Sequence, residues 1–203
     1  IGRMIDQDIE EAKRMLPALV GRDTSSLSPA QASSAVIESL SENYVDSILS
    51  PMFYYILFSP LGLGLEAAVA FKAISTLDSM IGYKKPGLRE LGYAGARLDD
   101  LANWIPARLS IVLIALAWPG GASHAMRAAL QYHRATPSPN SGWPMAAAAG
   151  SLNIRLEKPG QYVLLEDNPD PETRDIFRAI SLIQSAIALT LATGIIYFLL
   201  GRL

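Results

Sequence analysis

The sequence predicts an all-α, multi-pass helical membrane protein with broken or re-entrant helices joined by polar loops. Three observations predict it. Half of the 203 residues are hydrophobic and only 18% are charged, against about 25% charged in ordinary soluble domains. Residues 179–200 run for about one membrane thickness without a charge, with Arg174 and Arg178 before them and Arg202 after. The apolar stretch 49–65 is interrupted by Pro51, Pro60, Gly62 and Gly64. That is the pattern of a discontinuous segment, tolerated in a membrane only where protein or a cavity covers the freed backbone groups. A buried core turn is the other reading of the same stretch.

Composition removes several classes of function. The formal net charge is −2, so no electrostatic footprint for nucleic acid exists. With no cysteine in the chain, disulfides, thiolate zinc sites and iron–sulfur ligation are excluded from this segment. Two histidines, His124 and His133, make no metal signature, so a bound metal has to be a hard ion on oxygen ligands.

The elements follow in order. Residues 4–20 read as one surface helix with mixed charges, opening as if in the middle of something and without the basic and apolar regions of a secretory signal. A polar loop at 21–27 leads to Ser28 as N-cap and Pro29 as first helical residue, and the helix is expected over 30–49. After the break at Pro51 to Gly64, a helix resumes over 65–80, with Ala67, Ala68, Ala70 and Ala73 small enough for close packing. A basic loop at 82–92 carries Lys84, Lys85 and Arg89. A helix over 93–104 precedes a restart at Pro106, whose apolar run 109–118 ends at Pro119-Gly120-Gly121. Residues 122–134 form another short helix, then a Pro/Ser/Asn loop (136–144), an alanine-rich stretch, and a polar loop over 151–178.

Several polar groups sit where solvation does not explain them. Glu38, Glu42 and Asp46 follow at i,i+4 steps, which places three carboxylates on one helix arc. A solvated face explains Glu38 and Glu42 alone equally well, but Val45 and Leu49 share the arc around Asp46. Converging carboxylates repel unless a cation lies between them. Magnesium on Glu42 and Asp46, keeping waters for a phosphate, meets that need. Lys72 and Asp78 are ionisable groups in an otherwise apolar helix, functional or paired within the bundle. Arg97, Asp99, Asp100 and Asn103 crowd the helix before Pro106, with Arg108 just beyond it. The aspartates can supply a metal ligand and a base, or cap a helix end and pair with the arginines. No phosphate-binding glycine motif, dinucleotide fingerprint or hydrolase triad occurs.

The same segments resemble the CobD/CbiB family. The resemblance is carried by Gly21-Arg22-Asp23-Thr24-Ser25, by Glu38-Ser39-Leu40-Ser41-Glu42-Asn43 with Asp46 and Pro51, and by Lys72 through Tyr83. Ala96-Arg97-Leu98-Asp99-Asp100 through Arg108, and Ser138-Pro139-Asn140-Ser141-Gly142-Trp143-Pro144, complete it. Three departures stand out: Ser47 and Met145 replace a usual Gly and Glu, and Glu157-Lys158 stands where a Gly-Gly pair is common. The family's first hundred or so residues, with membrane helices, precede the first motif. Residues 1–203 are therefore expected to be a single domain of this kind lacking the N-terminal helices.

The resemblance implies an ATP- and Mg2+-dependent ligase, adenosylcobinamide-phosphate synthase. It joins aminopropanol, free or phosphorylated, to a carboxylate of the corrinoid adenosylcobyric acid in the lipid membrane of the cell, at its cytoplasmic face. A carboxylate and an ammonium do not form an amide without activation, so an acyl phosphate is the expected intermediate. Cations must hold phosphoryl oxygens and a base must free the amine. The implied catalytic set is Asp23, Glu38, Glu42, Asp46, Lys72, Asp78, Asp99 and Asp100. The implied substrate-binding set is Arg22, Ser25, Asn43, Arg97, Arg108, Ser138 and Asn140. The seven acidic members are expected around one polar cavity. The competing class is a non-catalytic membrane relative in signalling, or a transporter, for which broken helices with Lys72 and Asp78 also suit.

Overall fold

The structure is a computed structural model that describes residues 1–81 and 89–200. The basic-loop reading for Lys84 and Lys85, the end of the third motif at Tyr83, and the flanking Arg202 lie outside the described residues. Helices dominate, and the described strands form a single two-stranded hairpin.

The N-terminal stretch is two short helices and a 3-10 turn, where one helix was expected: α1 (Gly2–Gln7), α2 (Ile9–Met15), then Leu16–Ala18. Asp8 causes the division. Its extended backbone ends α1, and its carboxylate caps α2 by accepting from Glu11 N at 3.1 Å. Ile5, Ala12 and Leu16 are buried, so this segment is packed on one side.

α3 (Pro29–Tyr44) starts where Ser28 and Pro29 predict, closed by a full capping box in which Ser28 and Gln31 exchange side-chain bonds. Pro51 does not break the chain as expected. α3 passes through a π turn, Val45–Leu49, directly into α4 (Ser50–Phe58). Proline lacks an N–H and its ring collides with the carbonyl four residues back. The widened turn just before Pro51 accommodates both. The break comes at Ser59–Leu61 and Gly62, which sits at φ +74 and reverses the chain. α5 (Gly64–Ile81) then returns along α4.

α6 (Arg89–Ala102) begins earlier than expected, and α7 (Trp104–Ala117) starts two residues before Pro106. Pro106 falls in the first turn, where N–H groups have no helical partner in any case. The two helices meet at a 45° bend. α8 (Ala122–Tyr132) follows, and the alanine-rich stretch is α9 (Gly142–Leu152), every residue of it buried. α8 and α9 pack closely because Gly150 has no side chain: a Cβ there would lie 2.5 Å from His124 O. The expected polar loop 151–178 contains the hairpin of β1 (Leu156–Lys158) and β2 (Tyr162–Leu164), paired antiparallel with Glu157 opposite Val163.

α10 (Thr173–Leu200) is continuous, as expected, and starts six residues before the apolar run. It is long and apolar enough to cross a membrane, and the bent α6–α7 pair passes the same test jointly. Its apolar window is only 33% buried. Leu65 on α5, Leu116 on α7 and Leu199 on α10 are all more than 60% exposed. The buried core lies among α3, α7, α9 and the start of α10.

Candidate functional site

The π turn, the α6–α7 bend and the loop before α9 enclose a cleft of about 170 Å³. Glu42 and Asp46 enter it from α3 and the π turn, Asp78 from α5, and Asp99 and Asn103 from the bend. Ser138, Asn140 and Ser141 close it from the loop.

Asn103 holds the bend. It is 2% exposed, accepts from Ser50 Oγ at 2.6 Å and donates to Asp99 Oδ2 at 3.1 Å. One amide thus ties α4 to α6 and orients Asp99 into the cleft. The other oxygen of Asp99 is buried without a hydrogen-bond partner, a state that costs free energy unless a ligand satisfies it.

The loop is equally ordered. Ser138 Oγ accepts from Asn140 N and Ser141 N. Asn140 donates to Asp100 O at 2.7 Å and lies 3.5 Å from Arg108 Nη1. Arg108 is laid over the Trp104 ring at 4.1 Å and reaches the Trp104 carbonyl at 2.6 Å.

Glu38 faces a second polar pocket of about 210 Å³, which shares Glu42 and Asp46 with the first as a common wall. Arg22, Asn43, Lys158 and Tyr162 also line it. Glu38 is fully engaged: Arg22 Nη2 at 2.7 Å, Ser34 Oγ at 3.0 Å and Tyr162 Oη at 3.2 Å all donate to it. Burial nevertheless pushes its carboxyl up to about 7, with Arg22 pulling the other way. Asp46 is also pushed up to about 7, first by burial and then by the charges of Asp99 and Glu42, with Lys72 and Asn103 opposing. Glu42 is raised as well, by burial, against Lys158, Ser141 and Arg22.

Of the seven acids expected around one cavity, four line the cleft: Glu42, Asp46, Asp78 and Asp99. Glu38 lies in the adjoining pocket. Asp23 does not join them. It is exposed and accepts from Ser25 N at 2.9 Å in a local turn, which also accounts for Ser25. Asp100 lines neither pocket and faces Arg97 at 3.7 Å. Lys72 is exposed on α5, near enough to Asp46 to oppose the effect of burial on its carboxyl. Asn43 is exposed and bonds back to Ser39.

Ser141, Lys158 and Tyr162 were not among the expected site residues. A signal for the last two was present in Lys158-Pro159-Gly160-Gln161, a turn sequence with Pro second and Gly third. Gly160 adopts φ +71 and Gln161 N bonds Lys158 O at 3.0 Å.

Among the described residues, no three His, Cys, Asp or Glu side chains close into a ready-made metal cage. The donor set of the cleft is nevertheless all hard oxygen. Glu42 and Asp46 beside open space suit an ion that takes one or two carboxylates and keeps waters.

The profile of the CobD/Cbib protein family matches residues 1–190. The chain belongs to that family. It is 58% identical over its whole length to the probable cobalamin biosynthesis protein CobD of Methanothrix thermoacetophila, covering 64% of that protein. It is 44% identical to the protein of the same name in Methanothermobacter thermautotrophicus, over 95% of the chain and 64% of the relative. The cobalamin biosynthesis protein CobD of Klebsiella pneumoniae is 41% identical, over 96% of the chain and 63% of the relative. The chain thus spans a little under two thirds of the length of these curated relatives. No solved structure matches it.

Proposed function

We propose that the chain is the larger part of a multi-pass membrane ligase of cobalamin biosynthesis. It forms the amide between aminopropanol, or its phosphate, and adenosylcobyric acid at the cytoplasmic face of the cell membrane. Family membership supports the pathway, and one observation supports the chemistry: Glu42, Asp46, Asp78 and Asp99, from three separate stretches of chain, line one cleft. Such a cleft attracts an ammonium and a divalent cation together. The outward apolar faces of α5, α7 and α10 support the membrane setting.

ATP supplies the phosphoryl group that activates the substrate carboxylate, and magnesium supplies the positive charge that holds it. Glu42 and Asp46 would hold the cation. Asp99, with one oxygen tied to Asn103 and the other unpartnered, accepts the proton that the ammonium must lose before it attacks. Asn103 is a positioning residue, because its amide donates to Asp99 and fixes that carboxylate in the cleft. Arg108, with its guanidinium carbon 4.1 and 5.0 Å from the ring centres of Trp104 and Trp143, adds positive charge beside the loop.

The test is the full-length protein in detergent or vesicles, given adenosylcobyric acid, aminopropanol phosphate, ATP and magnesium, with the product weighed by mass spectrometry. Product that requires both ATP and magnesium is expected. A folded preparation that forms none, yet moves a corrinoid across sealed vesicles, would replace the ligase by a transporter. Release of the protein from membranes by carbonate would remove the integral-membrane part.

A further inference from the structure

We infer that the pocket between Arg22 and Lys158 is a subsite for a small phosphoryl anion, separated from the acidic cleft only by Glu42 and Asp46. The inference rests on the reading of that cleft as a cation site.

The first observation is an unfinished arginine. Arg22 spends Nη2 on Glu38 at 2.7 Å, while Nη1 is buried with no hydrogen-bond partner. A guanidinium presents donors in a fixed fork that fits carboxylate or phosphate oxygens, so a buried fork with one prong engaged lacks an acceptor. The side chain is only 11% exposed, and bulk water does not readily serve in its place.

The second observation is an independent cation on the same pocket. Lys158 comes from the end of β1, far in sequence from Arg22, and lines the pocket with it. Both act on Glu42, Lys158 more strongly. Among the described residues the Lys158 ammonium makes no close ion pair. The turn at Pro159-Gly160 and the bonds between Ser34 and Glu157 (2.7 Å from Glu157 N) hold this end of β1 against α3. The lysine is therefore placed by the hairpin.

The third observation is size. At about 210 Å³ the pocket is smaller than the roughly 300–1,000 Å³ of sites for drug-sized ligands. It takes a phosphoryl group with a short tail and not a corrinoid. The charges sort accordingly. Glu38 is offset by Arg22. Glu42 and Asp46 would repel a bare anion, and a divalent cation bound to them would offset that repulsion. The phosphoryl source is either the nucleotide or the phosphorylated amine.

The probe is inorganic phosphate, titrated against the full-length protein in detergent with magnesium present throughout. Binding is read from phosphorus NMR line broadening, with chloride matched for ionic strength. Saturable binding to the native protein is expected. Lys158→Gln should weaken it by about tenfold or more, and Lys158→Arg should hold it within about threefold. Circular dichroism confirms that each variant is folded. Absence of saturable binding overturns the subsite, as does a folded Lys158→Gln that binds like the native protein. Equal loss in Lys158→Arg also counts against it, since charge would then not be what the position supplies. Competition by a non-hydrolysable ATP analogue assigns the phosphoryl group to the nucleotide, and competition by aminopropanol phosphate assigns it to the amine. Because binding is read without turnover, amide formation can fail while the subsite stands, and the reverse.

Discussion

Glu38 and Asp46 are two carboxylates on one uninterrupted helical path, both raised to about 7, and their surroundings are opposite. Glu38 sits in the regular part of α3, where Arg22, Ser34 and Tyr162 all donate to it. Through these bonds it fastens the first loop and the β-hairpin to the helix. Asp46 sits in the π turn. Its electrostatic neighbours are mostly other acids, with only Lys72 and Asn103 in support. The same titration thus arises in a finished structural tie and in an unfinished site. π turns inside helices often mark such sites, because the extra residue re-aims side chains at a cost in regular bonding. The comparison teaches that a perturbed acid identifies a functional position only when its partners are missing.

The comparison breaks if the two residues respond alike to substitution. The largest effect is expected at Glu38. Glu38→Ala leaves Arg22 buried without its carboxylate, and removing one partner of a buried pair costs about 3–5 kcal/mol. Urea unfolding of the full-length protein in mild detergent should show this, as lost stability whatever the activity. A fall below about 1 kcal/mol would remove Glu38 from its structural role.

Asp46→Asn should do the reverse. It preserves shape and removes a charge that lies among like charges, so the protein stays folded and is as stable or slightly more so. Amide formation should drop about 100-fold or more, the size found when one preorganised charge-stabilising group is lost. Near-normal turnover in a folded Asp46→Asn would sink the catalytic assignment.

pH sharpens the comparison. The unfolded carboxyls titrate near 4.5 for Glu38 and 3.8 for Asp46, and the folded ones near 7. Between those values the folded state holds protons that the unfolded chain has released. The stability these two groups contribute is therefore full below about 4 and is lost as pH rises to about 7. Thermal melts should show a falling contribution over that window. Magnesium should raise the melting temperature more at pH 8 than at pH 6, because Asp46 must be ionised to bind it. In Asp46→Asn the magnesium effect should shrink, while in Ser28→Ala it should persist.

The smallest effect tests the frame that carries both acids. Ser28→Ala removes the cap of α3 and should cost about 1 kcal/mol in the same unfolding assay, with activity unchanged. A loss of activity there would mean that the start of α3 communicates with the cleft.

Much of the helical pattern was legible, because capping, apolar runs and Gly/Pro signals are local. Ser28-Pro29 marked the start of α3, Pro60 through Gly64 its reversal into α5, and the uncharged run 179–200 most of α10. The misreadings have physical causes. Asp8 reads as an ordinary surface charge, yet its extended backbone makes it a cap. Pro51 reads as a breaker, yet a π turn absorbs it. Strands of three residues, such as Leu156–Lys158 and Tyr162–Leu164, are too short for a clear alternation of apolar and polar positions.

For the candidate site, the sequence by itself determined the i,i+4 ladder of Glu38, Glu42 and Asp46, the crowding of acids near Asp99, and membership of the CobD/Cbib family. Only the tertiary structure decided which acids meet. The bend at Asn103 brings Asp99 to Asp46, and α5 returns along α4 to add Asp78, whereas Asp23 and Asp100 find local partners instead. It also decided that Glu38 is tied and that Lys158 shares a pocket with Arg22. The reason is distance along the chain. Spacing within one helix follows from 3.6 residues per turn, but contacts between residues such as Ser34 and Glu157 depend on how separate elements pack, which no local pattern encodes.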